Sequence, residues 1–282
     1  MMSSHVAALP TTPSPSMVVD DHDIPRRPLS ESPITLFMAR LFVLVAALAA
    51  WELCSDTVVD SFYISSPSRV APLLWTWITD GTLWYHARST LWAAAVGFTA
   101  GGIIAVVAGY VFAQWKFVAS VLEPFITAIY GIPKIALIPL LIVWFGLGFQ
   151  LQVICVAIVT FFLMFYNTFF GIREVNHALI DQMRVMGANR WNIAVRAKLP
   201  SALVWVVAGL KITVPQALIA VVVAEMLASN QGLGYLLTRS ANQFNTTGVF
   251  AAIIVLVAVS FTVDRVVSRL TRRAMQWKEA RS

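Results

Sequence analysis

The hydrophobic pattern of the chain divides it into six long apolar runs separated by polar segments. The runs cover approximately residues 34–54, 83–113, 122–145, 151–170, 202–228 and 249–267. Each is close to the ~20 residues that a helix needs to cross a hydrocarbon core of roughly 30 Å. A shorter apolar patch, 73–78, is too short to span and is expected along the membrane surface or against the bundle. The pattern predicts an all-α membrane protein with six transmembrane helices.

Composition narrows the class of protein further. Of the 282 residues, 59% are hydrophobic and only 12% are charged, whereas about 25% are charged in ordinary globular proteins. The two cysteines, Cys54 and Cys155, lie in separate apolar runs, the four histidines are scattered, and neither His-Glu-x-x-His nor Gly-x-Ser-x-Gly occurs. We therefore expect no catalytic residues, no cofactor and no metal site.

Three parts of the chain differ in polarity. Residues 1–33 hold six of the thirteen prolines with many Ser and Thr, which predicts a disordered cytoplasmic tail. Residues 34–267 form the predicted six-helix transmembrane domain, and residues 268–282 a cytoplasmic C-terminal tail.

The cations report the orientation in the membrane. Fifteen of the twenty Lys and Arg fall on one side of the predicted spans, together with both termini and the loop between the fourth and fifth spans. Only Arg69, Arg88 and Arg239 fall on the other side, and Lys134 and Lys211 lie within spans. Because cytoplasmic loops carry the excess of positive charge, both termini are expected in the cytoplasm. The net charge of +6 then requires no nucleic-acid partner.

The cytoplasmic loop 171–201 has the composition of folded structure. Val175, Leu179, Met183 and Met186 recur at helical spacing and predict an apolar stripe along a short helix. Gly187 is expected to end that helix and Asn189 to cap a second one that stops at residues 199–200. The segment therefore predicts a helix-turn-helix elbow, although an amphipathic hairpin lying on the lipid surface would show the same pattern.

The elbow also carries a recognisable spacing. Asp181-Gln182-Met183, three residues, Gly187 and then Leu199-Pro200 resemble the loop signature of binding-protein-dependent ABC importer permeases, Glu-Ala-Ala, three residues, Gly, nine residues, Ile, one residue, Leu-Pro. Gly187, Leu199 and Pro200 match, Asp181 is a conservative change, and Gln182, Met183 and Ala197 depart from the pattern. Further segments resemble the nitrate/taurine/sulfonate branch of the family: 132–140, 144–148, 187–191, 223–227 and 232–236.

This resemblance implies a fold and a set of partners. The family has the ABC importer type I permease fold in a bacterial inner membrane and works as two permease copies, here expected to be a homodimer. Two separate cytoplasmic ATPase subunits dock on the loop, and an extracytoplasmic solute-binding protein delivers the substrate. This chain has no Gly-x-x-x-x-Gly-Lys-Ser/Thr loop of its own. The expected cargo is a small anion of the sulfonate/taurine, nitrate or bicarbonate class.

Carried onto this sequence, the resemblance assigns the ATPase contact to one group of loop residues. Alternative roles for members of the group are packing of the elbow against its own permease, pairing of its arginine with lipid phosphate, and, for Pro200, marking the start of a helix. The predicted docking residues are Asp181, Gln182, Met183, Gly187, Ala188, Arg190, Leu199 and Pro200.

Two charged residues are candidates for the translocation path. Lys134 lies near the middle of the third run, where an uncompensated lysine costs roughly 2.5–3.5 kcal/mol on insertion scales, and it could attract an anion. It could instead snorkel from the kink at Pro133 or pair with a carboxylate. Glu225, near the outer end of the fifth run, could form a gate or contact the binding protein, or it could cap a turn.

A secondary carrier or channel subunit has the same hydropathy and proline content. The elbow distinguishes the two classes, because a carrier that is not driven by ATP has no use for a docking loop.

Overall fold

The computed structural model describes residues 33–175 and 177–279. Within these ranges the chain forms eleven α-helices, one 3-10 turn (Lys134–Leu137) and one π-turn (Ala194–Lys198). The predicted tail lies outside the described residues, apart from Pro33. The helices are α1 Pro33–Cys54, α2 Pro67–Thr79, α3 Thr82–Ala113, α4 Lys116–Gly131, α5 Ile138–Phe145, α6 Phe149–Arg173, α7 His177–Val185, α8 Arg190–Ile193, α9 Leu199–Ala228, α10 Leu233–Asn242 and α11 Thr246–Glu279.

Five of the described helices are long and apolar enough to cross a membrane, and a bent pair makes a sixth candidate span. The five are in α1, α3, α6, α9 and α11, which confirms five of the predicted runs. The third run was predicted as one span kinked at its prolines, and the structure breaks the helix at one of them. It consists of α4 and, beyond a break at Ile132 and Pro133, the 3-10 turn and α5, with a bend of 79°. Pro133 has no N–H to continue the ladder, so the helix ends before it.

The core of the bundle is formed by α3, α6 and α9. Small residues recur every four positions along α3, and all of them are buried: Ala93, Gly97, Gly101, Ala105 and Gly109. A Cβ atom at Gly101 would lie 2.4 Å from the carbonyl oxygen of Ala157 in α6. The stripe therefore lets the backbones of α3 and α6 approach each other within one chain, as expected from small residues between membrane helices.

Shorter helices pack around one end of this core. The patch 73–78 lies within α2, where Leu74 and Trp77 pack against a cluster that includes Ala87 of α3 and Leu233 of α10. Of the two predicted positions for this patch, the structure confirms packing on the bundle. The last helix, α11, runs well beyond the predicted span and continues to Glu279.

The chain divides into two compact units, up to Ala50 and from Trp51 onwards. In the first unit the described part is the apolar helix that begins at Pro33. The second unit contains the core, the elbow and both path candidates.

Candidate functional site

The first half of the elbow is α7 and the turn that ends it. Gly187 has φ +82°, a left-handed conformation that glycine adopts without steric cost. Its N–H donates to the carbonyl of Arg184 at 2.9 Å, and the N–H of Ala188 donates to the carbonyl of Met183, also at 2.9 Å. These two bonds form a Schellman motif, which satisfies carbonyls that the helix end would otherwise leave unpaired. The predicted end of the first elbow helix at Gly187 is confirmed.

The second half of the elbow begins at a side-chain cap. The Oδ1 atom of Asn189 accepts a hydrogen bond from the N–H of Asn192 at 2.8 Å, so the predicted cap is confirmed. The helix was predicted to stop at Leu199 and Pro200, and this is wrong, because α8 continues through the π-turn into α9. In the π-turn, the N–H of Leu199 bonds the carbonyl of Ala194. This wider turn precedes Pro200, which cannot donate a hydrogen bond, and lets the helical path continue.

The elbow has a small core of its own. Val175, Ile180 and Ile193 are buried together, and Met183 and Ala188 pack against them. The predicted stripe is therefore only partly right, since Ile180 faces inwards while Leu179 and Met186 are exposed. Met183 and Ala188, both predicted to touch an ATPase, lie half-buried beneath the turn and support its shape.

Other side chains of the elbow point away from this core. Asp181 and Gln182 are exposed on α7, and Asp181 pairs with Arg184 at 3.1 Å across one helical turn. Large apolar side chains next to the turn are also exposed: 88% for Val185, 85% for Met186 and 73% for Trp191. None of these three residues was among the predicted docking residues. The sequence could have indicated Trp191 as a docking residue. It lies beside a helix cap in a polar loop, where the sequence predicts no hydrophobic core that could bury a tryptophan.

The remaining docking candidates lie along the exit of the elbow. Arg190 is the first residue of α8, Leu199 is the exposed first residue of α9, and Pro200 follows it. Pro200 thus occupies the first turn of α9, where a missing N–H has the least effect on the helix.

Polar contacts connect both ends of the elbow to the bundle. At its entrance, Arg173 of α6 forms an ion pair with Glu123 of α4 and lies 5.7 Å from the ring of Phe169. At its exit, the Nζ atom of Lys198 donates to the Oε1 atom of Gln114, which follows α3, at 2.7 Å. A displacement of the elbow is therefore connected to α3 and α4 as well as to α6 and α9.

Lys134 opens the second half of the bent pair, directly after Pro133. Its Nζ atom donates to the carbonyl of Tyr130 and lies 4.9 Å from the ring of Tyr130 and 6.0 Å from that of Phe162. Among the described residues, no carboxylate lies within ion-pair distance of Lys134. Of the alternatives left open by the sequence, pairing with a carboxylate therefore finds no support in the described part of the chain.

Glu225 lies in a buried network near the end of α9. Its side chain is fully buried, and Oε2 accepts hydrogen bonds from the hydroxyl of Thr90 at 3.0 Å and the N–H of Gly234 at 2.9 Å. Thr90 also accepts from the N–H of Leu233, and the Nδ1 atom of His86 accepts from the N–H of Gly232. These contacts fix the start of α10 against α3, so the geometry favours the turn-capping role.

The two path candidates are not brought together. No hydrogen bond or ion pair among the described residues joins Lys134 to Glu225, and each has its own set of neighbours. The described residues also contain no group of three His, Cys, Asp or Glu side chains placed to hold a metal ion.

The five or six candidate spans and the folded elbow between α6 and α9 are the features of a multi-pass membrane protein with a structured loop. Residues 97–276 match the family of binding-protein-dependent transport system inner membrane components, and the chain belongs to this family. It is an ABC importer permease subunit and a multi-pass inner membrane protein, as the resemblance of the motifs predicted.

Relatives with assigned transport systems match over most of their length. The chain is 34% identical over 218 residues to the riboflavin transport system permease protein RibX of Chloroflexus aurantiacus, covering 77% of this chain and 81% of that protein. It is 28% identical over 246 residues to the putative aliphatic sulfonates transport permease protein SsuC of Escherichia coli K12, covering 87% of this chain and 94% of that protein.

Solved structures confirm the type of fold. A structure of the inward-facing MetNI methionine ABC transporter matches with a TM-score of 0.55 at 21% identity, covering 68% of this chain and 97% of that chain. The ABC importer permease fold expected from the sequence is therefore confirmed.

Proposed function

We propose that this permease moves a small anionic solute into the cytoplasm by alternating access, driven by ATP hydrolysis on separate subunits. The observation that carries the proposal is the elbow, which combines its own buried core with an exposed apolar rim. Exposed apolar patches commonly mark interaction surfaces.

The docking surface on this proposal comprises the exposed residues around the turn. Val185, Met186 and Trp191 supply apolar anchors, and Asp181 and Gln182 supply a polar rim. A tryptophan within a ring of polar contacts is a frequent energetic centre of protein interfaces. Met183 and Ala188 contribute indirectly, because they pack beneath the turn and stabilise it. The remaining members of the docking group are Gly187, Arg190, Leu199 and Pro200.

Movement of the docked elbow is transmitted to the bundle through the contacts at its two ends. Arg173 with Glu123 and Lys198 with Gln114 connect the elbow to α4 and to the end of α3. Closure of an ATPase pair would then shift packed helices as rigid bodies, since packed interfaces tend to move between discrete arrangements. We expect two copies of this chain, each docking one ATPase, and an extracytoplasmic solute-binding protein that delivers the cargo.

The nature of the cargo is supported by Lys134 and by the relatives. A lysine at the break of a membrane helix offers a cationic point for an anion, and Lys134 has no carboxylate partner in the described part of the chain. SsuC carries aliphatic sulfonates according to its name, and RibX riboflavin. We place the cargo in the class of small anions that includes sulfonates, taurine, nitrate and bicarbonate. Glu225 belongs to the path only indirectly, by fixing the segment that follows α9.

The test is purification of the tagged permease from its own membrane. We expect a P-loop ATPase, identified by mass spectrometry, to co-purify and to give the eluate ATP hydrolysis. Met186→Asp should abolish the co-purification, because it places a charge in the centre of the apolar rim. Phe244→Asp is the matched control, since Phe244 is also exposed (76%) but lies between α10 and α11.

Two results would contradict the proposal. Purification of the intact permease without an ATPase would support the alternative of a secondary carrier or channel subunit. Retention of the ATPase by Met186→Asp would indicate that the apolar rim faces lipid, as in an amphipathic surface hairpin.

A further inference from the structure

A cavity of about 1010 Å³ lies between α2, α3 and α11. Neither Lys134 nor any residue of the elbow lines it. Trp84 and Trp92 in its wall are 63% and 62% exposed, so the cavity opens to the surface of the chain. Its volume lies at the upper end of the range of roughly 300–1,000 Å³ that is usual for ligand pockets. The cavity therefore has room for a ligand with a long apolar portion.

The cavity extends from the outer end of α3 towards the middle of the membrane. The start of α3 is its outer end, because the other end contacts the elbow through Gln114 and Lys198. The lining of the cavity on α3 extends from Leu83 to Trp92, which is about 14 Å at 1.5 Å per residue. This depth is close to half of the roughly 30 Å hydrocarbon core, which is the thickness of one leaflet.

The polar and apolar parts of the cavity wall are separated along this depth. Tyr85, Arg88 and Gln231 line the outer part, where the hydroxyl of Tyr85 donates to the Oε1 atom of Gln231 at 3.0 Å. The hydroxyl of Thr262 in the deeper part is already bonded to the carbonyl of Ala258, within α11. A phospholipid has the same division into a polar headgroup and apolar chains. The deeper wall is mostly apolar and consists of Leu91, Trp92, Ala258, Val259, Thr262 and Val263.

The outer part of the cavity offers hydrogen-bond donors next to a positive charge. Among the described residues that line the cavity, Arg88 is the only charged one, and no described carboxylate lies within ion-pair distance of it. The amide of Gln231 uses its oxygen for Tyr85, which leaves its two N–H groups as donors. A guanidinium group binds phosphate oxygens in a bidentate manner. The cationic part of a zwitterionic headgroup would meet no carboxylate here, so the site favours a headgroup with a net negative charge.

We propose that this cavity binds an anionic phospholipid of the outer leaflet. The phosphate group binds Arg88 and Gln231, and an acyl chain lies in the apolar part between α3 and α11. The bound lipid fills the space between these two helices and stabilises their arrangement. The site is separate from the elbow and does not depend on the docking of an ATPase.

The test is native mass spectrometry of the purified permease, with any co-purified subunits, in detergent that contains equal amounts of phosphatidylglycerol and phosphatidylcholine with identical chains. We expect phosphatidylglycerol to be retained about fivefold better, which is the effect of one arginine beside an anionic headgroup. Phosphatidylglycerol should also raise the thermal midpoint of the permease more than phosphatidylcholine does. Glycerol 3-phosphate, which has the phosphate without the chains, should not raise it.

Two substitutions at Arg88 test the contribution of the charge. Arg88→Gln should remove the preference for phosphatidylglycerol and leave the retention of phosphatidylcholine unchanged, whereas Arg88→Lys should keep most of the preference. Arg239→Gln is the matched control, since Arg239 is also an exposed arginine on the outer side but does not line the cavity.

A substitution in the deeper wall tests the contribution of the chain. Ala258→Trp fills the cavity from α11 and should lower the retention of both lipids. Val266→Trp is its control, because Val266 is exposed on the same helix outside the cavity.

Equal retention of the two lipids by the native chain would overturn the inference, and so would an unchanged preference in Arg88→Gln. An equal loss of preference in Arg239→Gln would also contradict it, because the preference would then reflect overall charge rather than this site. Absence of any retained lipid would mean that protein, either α1 or a second copy of the chain, covers the cavity instead. Stabilisation by glycerol 3-phosphate would indicate a site for a free phosphate compound. Each of these results is independent of whether an ATPase co-purifies, so the proposed function is tested separately.

Discussion

At the scale of single residues, the turn of the elbow depends on the backbone of Gly187. Nothing lies within 4 Å of the position that its Cβ atom would take, so a side chain would meet no steric obstacle there. The constraint comes from φ +82° alone. A β-branched residue in this conformation is strained by about 1–3 kcal/mol, whereas asparagine adopts it more readily.

We therefore expect Gly187→Val to abolish transport while the chain still inserts into the membrane. The strain would be relieved by opening the Schellman turn, which would displace Ala188 and the elbow core beneath it. Gly187→Asn should keep most of the activity, because it tolerates the left-handed region. Uptake normalised to permease abundance is the measurement, and full uptake by Gly187→Val with the ATPase bound would refute the role of the turn.

Glu225 illustrates what a sequence does not convey about a single residue. Its position near the end of an apolar run suggested a carboxylate at the membrane interface that caps a turn, with a gate or a contact with the binding protein as the alternative. The structure buries it completely, and the partners that hold it come from α3 and α10, 135 and 9 residues away. Gly232 approaches so closely that a Cβ atom there would lie 2.1 Å from the Cδ atom of Glu225. No local pattern encodes such a tertiary contact.

At the scale of helices, the lengths of the apolar runs predicted where the membrane spans lie. They were less informative about where a span is broken into two helices. Five spans follow directly from apolar runs, because a membrane helix must satisfy its backbone internally over its whole length. A kink at Pro133 was predicted, but the end of the helix after Gly131 was not, since apolar residues continue on both sides of the proline. A proline can either kink a helix or end it, and tertiary packing decides between the two. The same limit applies to Pro200, for which the sequence allowed either a helix stop or a helix start; it lies at the start of α9, directly after a π-turn.

The contact between α3 and α6 offers a matched test of the small-residue stripe. A Cβ atom at Gly101 would lie 2.4 Å from the carbonyl oxygen of Ala157, whereas one at the adjacent Gly102 would meet only Thr160 Cγ2 at 3.7 Å. Gly101→Ala must separate two helix backbones, and overpacking of this kind costs about 1–3 kcal/mol. Gly102→Ala makes an ordinary contact and gains helix propensity.

We expect Gly101→Ala to lower the thermal midpoint of the detergent-solubilised protein and Gly102→Ala to leave it unchanged or raise it. Size-exclusion profiles after heating to a series of temperatures give the measurement. Equal behaviour of the two variants would mean that α3 and α6 do not rely on the close approach of their backbones.

At the scale of the whole molecule, contacts at the two ends of the bundle indicate that the bent pair crosses from one side to the other. Lys198 and Arg173 of the elbow contact Gln114 and Glu123, which lie at the end of α3 and in the first half of α4. Beyond α5, the N–H of Gly148 donates to the carbonyl of Ala228, at the opposite end of α9, at 3.0 Å. The chain between Glu123 and Gly148 therefore connects the two ends, which gives six crossings.

This arrangement predicts which positions a membrane-impermeant thiol reagent can reach. Gln182 lies in the elbow and Gln243 follows α10, and both are exposed. With six crossings and the positive charge inside, Gln243→Cys should react in intact cells and Gln182→Cys only after the membrane is opened. Both cysteines must be introduced into a chain that lacks Cys54, because Cys54 is exposed and would react itself, whereas Cys155 is buried.

If the bent pair instead re-entered and left on the same side, every later segment would be inverted, and Gln182→Cys would be the position labelled from outside. That result would also remove the elbow from the cytoplasm and with it the proposed contact with an ATPase.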